Sequence, residues 1–380
     1  MKFVLAPDSF KGSMTAMQVA NSMEKGLKTV FPSAEIVKVP VADGGEGTVQ
    51  SLVDATDGKM ITATVTGPLS VPVEGSFGIL GDGITAVIEM AEASGIGYIN
   101  EQTRNPLIAT TRGTGELICK ALDYGVRKII LGIGGSATND GGMGMAVALG
   151  VKFLDKQGQP ITEGGGELDK IETIDISGID PRVAETQFIV ACDVTNPLTG
   201  KDGASAVFGP QKGATPEMVA VLDKNLRFYA EKIHATLGID IDPIPGSGAA
   251  GGLGGGLIAF TGATLHKGID IVIDYTRLKE KLAGADYVFT GEGGIDFQTK
   301  FGKTPYGVAQ AAKDAAPQAP VIALAGLVGN DIASLYDVNF TAVFGILRRV
   351  CPLEDALREG PESVASTTEN IARLIKANLC

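Results

Sequence analysis

Short apolar runs, each followed by a cluster of glycine, acidic and hydroxyl residues and then by helical spacing, set the rhythm at both ends of the chain. Lys2 to Ala6 predicts a first strand, and Pro7-Asp8-Ser9-Phe10-Lys11-Gly12-Ser13 the loop at its carboxyl end. Thr15 and Gln18 then form a capping-box pair, and Val19, Met23, Leu27 and Val30 share one helical face. Ile36 to Val39 repeats the strand, VADGGEGT repeats the loop, and Val49, Leu52 and Val53 carry a helix that stops at Gly58. From Ile61 to Met90 the pattern changes to alternating β-branched positions broken by Gly-Pro, Pro and Gly-Asp-Gly turns, which predicts antiparallel hairpins.

Helical spacing returns in TTRGTGELICKALDYG, through Leu117, Ile118, Ala121 and Leu122, with Arg112 and Thr114 at its start. Ile129 to Leu131 reads as a buried strand, the glycine-rich stretch from Gly132 follows, and Met145 to Leu149 resumes as helix. Gln187 to Ala191 is a strand running into Asp193. Thr215 and Pro216 open a long helix with Met218, Leu222, Leu226, Tyr229, Ile233 and Leu237 on one face before Gly238. Tyr287 to Thr290, Val321 to Ala325 and Ala342 to Ile346 read as strands, alternating with helices that begin at Thr304-Pro305, near Asp331, and behind Pro352 and Pro361. Such alternation predicts a parallel sheet with right-handed crossovers. The expected fold class is α/β with two domains. A Rossmann-like parallel-sheet domain is formed by both chain ends, residues 1–60 and 265–380, with a mixed α/β domain of residues 61–264 inserted.

Composition narrows the classes. No apolar run approaches the roughly 18 residues a membrane span needs, and the apolar start from Phe3 to Pro7 is too short for a signal peptide. A cytoplasmic protein is therefore expected. The net charge of −12 argues against nucleic acid or an anionic membrane as partner. Cys119, Cys192, Cys351 and Cys380 lack metal or redox spacing, and with only His234 and His266 a histidine-based triad has little support, so a carboxylate is the expected general base.

Gly132, Gly134 and Ala137 satisfy the dinucleotide fingerprint GxGxxA, with Asp155 near the spacing of a ribose-binding acid. Fifty-two glycines in 380 residues, about twice the usual 7%, make chance matches common. Gly302-Lys303-Thr304 resembles the end of a P-loop, but Phe297 stands where its first glycine belongs. What remains is carboxylates, lysines and glycine turns at predicted strand ends, the parts that phosphoryl transfer needs. A dehydrogenase holding NAD at the Gly132 loop and Asp155, or a non-catalytic ligand sensor, are the alternatives.

Seven motifs in one order carry a resemblance across nearly the whole chain. They are APDSFKGS from Ala6, PVADGGEGT from Pro40, TRGTGEL from Thr111, GIGGSATNDGG from Gly132, ACDVTNPL from Ala191, FGPQKGA from Phe208, and TGEG with QTKFGK from Thr290 to Lys303. With them the chain resembles the bacterial type-1 glycerate kinases. The resemblance implies ATP-dependent phosphorylation of D-glycerate with Mg²⁺, 2-phosphoglycerate as product, and a two-domain α/β structure with the active site in the cleft between the domains. Gly294 stands where many members carry arginine directly after GEG. Strand-end placement and chemistry together give the expected roles. Asp193, Asp296, Lys11 and Lys303 are the catalytic candidates, and Asp8, Ser9, Arg112 and Thr114 those for substrate binding. Gly134, Gly135, Ser136, Asn139 and Asp140 would hold phosphate or nucleotide, and Asp43 and Glu292 the metal.

Overall fold

The computed structural model describes residues 1–379, so Cys380 lies outside the described residues. Its strands are β1 (Lys2–Pro7), β2 (Glu35–Lys38), β3 (Lys59–Thr66), β4 (Pro72–Ile79), β5 (Thr85–Glu89), β6 (Lys128–Gly132), β7 (Lys152–Leu154), β8 (Thr173–Asp175), β9 (Gln187–Ala191), β10 (Thr264–His266), β11 (Tyr287–Ile295), β12 (Val321–Val328) and β13 (Ala342–Gly345). The chain divides into two compact units. A terminal unit comprises Met1–Asp43, Gln50–Asp57 and the chain from Ile269 onward, and a central unit comprises Gly44–Val49 and Gly58–Gly268.

In the terminal unit five parallel strands lie in the order β13-β12-β11-β1-β2. Strand β1 pairs with β2 on one side and with β11 on the other, Val4 facing both Val37 and Val288. Because the chain leaves β1 towards β2 and returns at β11, the strand order reverses at the β1/β11 boundary. Open α/β sheets bind ligands beyond the carboxyl ends of the strands at such a reversal. Phe3 and Leu5 of β1 bury against Val19, Met23 and Leu27 of the Ala16–Val30 helix, which in turn packs on Val364, Ile371 and Ile375 of the C-terminal Gly360–Ala377 helix. The Thr15 and Gln18 capping box is present as its spacing predicts. Strand β11 runs on to Ile295, beyond the expected end at Thr290, because Gly291, Glu292, Gly294 and Ile295 remain in register with β12. Glu292 is thus held by a strand and not by a loop. The helix expected near Asp331 is a single turn, Ala333–Tyr336.

The central unit carries a six-stranded mixed sheet, β10-β9-β6-β5-β4-β3. The expected hairpins are β3, β4 and β5, yet β5 also pairs parallel with β6, so the change of architecture falls inside the sheet. Apolar residues of β5, β6 and β9 pack with Leu117, Ile118 and Ala121 of the Arg112–Asp123 helix. The Pro216–Leu237 helix has Thr215 as N-cap and ends at Gly238 in the left-handed region, and its Leu222, Leu226, Tyr229 and Ile233 are buried. Strands β7 and β8 form a separate antiparallel pair. No helix among the described residues is long and apolar enough to cross a membrane.

Candidate active site

Three acids of the terminal unit follow from its topology. Asp8 comes directly after β1, its amide donating to Gly291 O at 2.8 Å. Glu292 is the next residue of β11. The chain after β2 still follows β1 as far as Val41, whose amide donates to Pro7 O, and Asp43 comes two residues later. Asp8 is 9% exposed, accepts from Thr304 Oγ1 at 2.5 Å and from the Ser9 amide at 2.6 Å, and so stands at the N-terminus of the Thr304–Ala315 helix. Burial raises its pKa to about 6, with the Thr304 hydrogen bond opposing and the Asp43 charge adding to the rise. Burial likewise raises Glu292 to about 7, against Lys303, whose Nζ is 3.6 Å away, and with Asp8 adding to the rise. Asp43 thus adds to the rise at Asp8, and Asp8 to that at Glu292, while Lys303 offsets the charge of Glu292.

The other predicted residues of this unit have more local duties. Asp296 N-caps the turn Phe297–Phe301, its Oδ1 accepting the Gln298 amide at 2.8 Å. Lys303 also donates to Gly294 O at 3.4 Å. Lys11 is exposed and Ser9 half-buried. A side chain at Gly294 would open into free space.

In the central unit the glycine stretch leaves β6 with Gly134 and Gly135 exposed, Gly135 at φ +72° where a side chain would be strained. The segment Gly44–Gly45 crosses over this strand end, and a Cβ on Gly44 would lie 2.6 Å from Gly268 Cα and 2.9 Å from the Ala191 side chain. The expected helix N-terminus is differently used. Its helix spans Met143–Ala148, and Asp140, fully buried, accepts Gly144 N at 3.1 Å, Gly142 N at 3.1 Å, Thr111 N at 2.9 Å and Thr111 Oγ1 at 2.8 Å. The first amides of that helix are therefore taken within the chain, Met143 N by Asp140 O, Gly144 N by the Asp140 carboxylate and Met145 N by Thr111 Oγ1, and do not face a ligand. Asn139 is buried and its amide donates to Ser205 Oγ.

Arg112 and Thr114, expected at the substrate, are otherwise engaged. Arg112 Nε donates to Glu163 Oε1 at 2.8 Å, and Thr114 is fully buried with its hydroxyl 2.9 Å from Ser94 Oγ. Asp193 is exposed beyond the end of β9, and its Oδ1 accepts the Gly268 amide at 3.0 Å. Asp155, directly after β7 and so outside the main sheet, closes its own turn by accepting the Gln157 and Gln159 amides, which removes the ribose-binding geometry of the dinucleotide alternative.

Two buried charges escape sequence reasoning. Lys212 is 1% exposed, with Nζ donating to Ser136 Oγ at 2.7 Å and Thr138 O at 2.6 Å; burial lowers its pKa to about 7. Glu89, at the end of β5, accepts Val49 N at 3.0 Å, and burial raises it to about 7. Their local signals are only the lysine within FGPQKGA and an acid closing the apolar run AVIE. Among the described residues no three His, Cys, Asp or Glu side chains form a ready-made metal cage. Cys119, Cys192 and Cys351 are free thiols.

Comparison with known proteins identifies the family. The model of the glycerate kinase family matches residues 3–376. The chain is 53% identical over 375 residues to a glycerate kinase of Haemophilus influenzae, covering 99% of each chain. It is 50% identical over 372 residues to a glycerate 2-kinase of Escherichia coli K12, covering 98% of this chain and 97% of the relative. A crystal structure of a candidate glycerate kinase 2 from Salmonella typhimurium LT2 is 50% identical, covers 100% of this chain and 99% of its own, and superposes with a TM-score of 0.92.

Proposed function

The chain belongs to the glycerate kinase family, and we propose that it transfers the γ-phosphoryl group of ATP to the C2 hydroxyl of D-glycerate, giving 2-phosphoglycerate and ADP. The observation that carries this reading is the crowding of Asp8 and Glu292 at the reversal of strand order, buried acids with pKa values raised to about 6 and 7. A carboxylate in that range is matched to proton transfer near neutrality.

Asp8 is assigned as general base, drawing the hydroxyl proton as the oxygen bonds to the γ-phosphorus and the bond to the ADP oxygen breaks. Thr304 Oγ1 fixes the Asp8 carboxylate and stabilises its charged form. Asp43 and Glu292 fit Mg²⁺. They are hard oxygen donors whose mutual crowding with Asp8 a cation relieves, and Mg²⁺ on a nucleotide needs only one or two carboxylates because phosphates and water complete its shell. When bound, the ion screens the charge on the transferring phosphoryl group. Lys303 and Lys11 are assigned to anionic oxygens of the substrates. The exposed Gly134–Gly135 loop, with Ser136, is assigned to an anion through its backbone and hydroxyl donors. Asp193 and Asp296, each already serving a backbone amide, take supporting parts, and Arg112 acts through Glu163. This reading calls for the cytoplasm, where ATP is held.

The test is one reaction of the protein with ATP, Mg²⁺ and D-glycerate, followed by ADP release and ³¹P NMR. Glycerate-dependent ADP with phosphorus coupled to the C2 proton is expected. Coupling to the C3 methylene would reverse the regiochemistry, and ADP release indifferent to glycerate would remove the substrate assignment.

A further inference from the structure

Among the described residues Lys212 is the one lysine or arginine buried in a core, and burial is costly for an ammonium group. Its position needs a reason. It ends the turn Pro210–Lys212 and reaches the glycine loop from behind, where Nζ donates to Ser136 Oγ at 2.7 Å and to Thr138 O at 2.6 Å. In its ammonium form Lys212 Nζ can only donate, and Ser136 Oγ is then the acceptor of this bond. Its own proton must then point to another oxygen.

Ser136 directly follows the exposed Gly134 and Gly135, and as a residue it is 7% exposed, so it joins the open part of the loop to the buried Lys212. A hydroxyl polarised from behind by a cation is a strengthened donor, suited to an anionic oxygen. The loop also carries Thr138 Oγ1 and Asn139 Oδ1, both buried and without a partner in the protein. A loop with unmatched polar atoms and a buried cation beneath it is organised for more than its own packing. Asp140, which opposes the fall in the Lys212 pKa, is already saturated by amides and the Thr111 hydroxyl, so it does not neutralise the lysine by direct contact.

We propose that Lys212 is a positioning residue for the reaction: by donating to Ser136 Oγ and Thr138 O it fixes Ser136 as a hydrogen-bond donor to an anionic oxygen of the substrate held at Gly134–Gly135. This rests on the assignment of that loop to an anion. The anion is a phosphate of ATP or the carboxylate of the acceptor, and the kinetics separate the two. Lys212 makes no contact with substrate in this scheme and acts through Ser136.

The experiment uses the full chain and compares wild type, Ser136→Ala, Lys212→Met and the double variant by kcat, by the separate KM values for ATP and D-glycerate, and by thermal unfolding. Ser136→Ala and Lys212→Met are expected to raise the same one of the two KM values about tenfold, as loss of a charge-assisted hydrogen bond does. The other KM should stay within about twofold, and the double variant should be no worse than the single ones, the signature of two residues acting as a unit. A folded Lys212→Met protein with both KM values unchanged overturns the proposal, and so do additive losses in the double variant. If Lys212→Met does not fold, Ser136→Ala decides alone: unchanged KM values overturn it. Should wild type show no glycerate-dependent turnover, the kinase reading fails separately. Calorimetric binding of ATP and of D-glycerate to wild type and Ser136→Ala then tests the loop, with equal affinities for both ligands overturning it.

Discussion

The acids of the terminal unit and the buried charges of the central unit have opposite relations to their surroundings. Asp8 and Glu292 are desolvated beside other acids, and the hydrogen bonds from Thr304 and Ser9 to Asp8, and from Thr299 together with the Lys303 charge to Glu292, offset that only in part. Asp140 is more deeply buried than either, yet it receives four donors from Thr111, Gly142 and Gly144. Burial alone therefore does not distinguish chemistry from scaffold. What distinguishes them is whether the protein itself completes the charge, and the unmet demand at Asp8 and Glu292 is where a substrate or ion contributes.

Four experiments probe that contrast. The largest effect is expected from Asp8→Asn, with kcat lower by about 10²–10⁴-fold, the range for loss of a general base, in a protein that still folds. A near-normal kcat would end the assignment. Asp140→Asn should do the reverse, because an amide brings N–H groups into a site already filled with donors. A loss of roughly 2–4 kcal/mol in urea unfolding is expected, with kcat of the folded protein retained.

The third experiment is a pH series. Asp8 and Glu292 bind their protons more tightly folded than unfolded, so the stability they contribute is fully present below about pH 4 and is lost as pH rises through about 6 and about 7 respectively. Glu292→Gln should therefore unfold at a higher temperature than wild type near pH 8, a gain of roughly 1–3 kcal/mol that disappears near pH 4. A constant difference across the series would show that the gain has another origin. The smallest effect is expected from Thr304→Val, which removes a hydrogen bond that lowers the Asp8 pKa. The acid limb of kcat/KM should move up by about half to one pH unit, and an unmoved limb would mean that Asp8 does not govern it.

Much of this was legible in the chain. Apolar runs ending in Asp8, Asp43 or the GEG motif announce strand ends, and the order of Pro7 and Gly291 across β1 and β11 brings two of those ends side by side. Two kinds of information were hidden. Competition for backbone amides is one: a glycine stretch ahead of a helix reads as an anion cradle, but Asp140 already fills that helix terminus, and only the folded chain reveals it. Desolvation is the other. Lys212 and Glu89 look like ordinary surface charges in sequence, and their burial depends on Ser136 and Val49, residues 76 and 40 positions away. Arg112 and Thr114 share the reason, since their partners Glu163 and Ser94 lie 51 and 20 positions off.

The central place of β1 in its sheet also orders events during synthesis. Val4 pairs with Val288, so the first strand emerges from the ribosome long before one of its two neighbours exists. At 5–20 residues per second that wait is on the order of tens of seconds. The central unit is complete in sequence once Gly268 has been made, before β11 begins. Nascent chain should thus carry a finished middle while Phe3, Val4 and Leu5 remain without a β11 edge. That interval is when this protein would most need a chaperone.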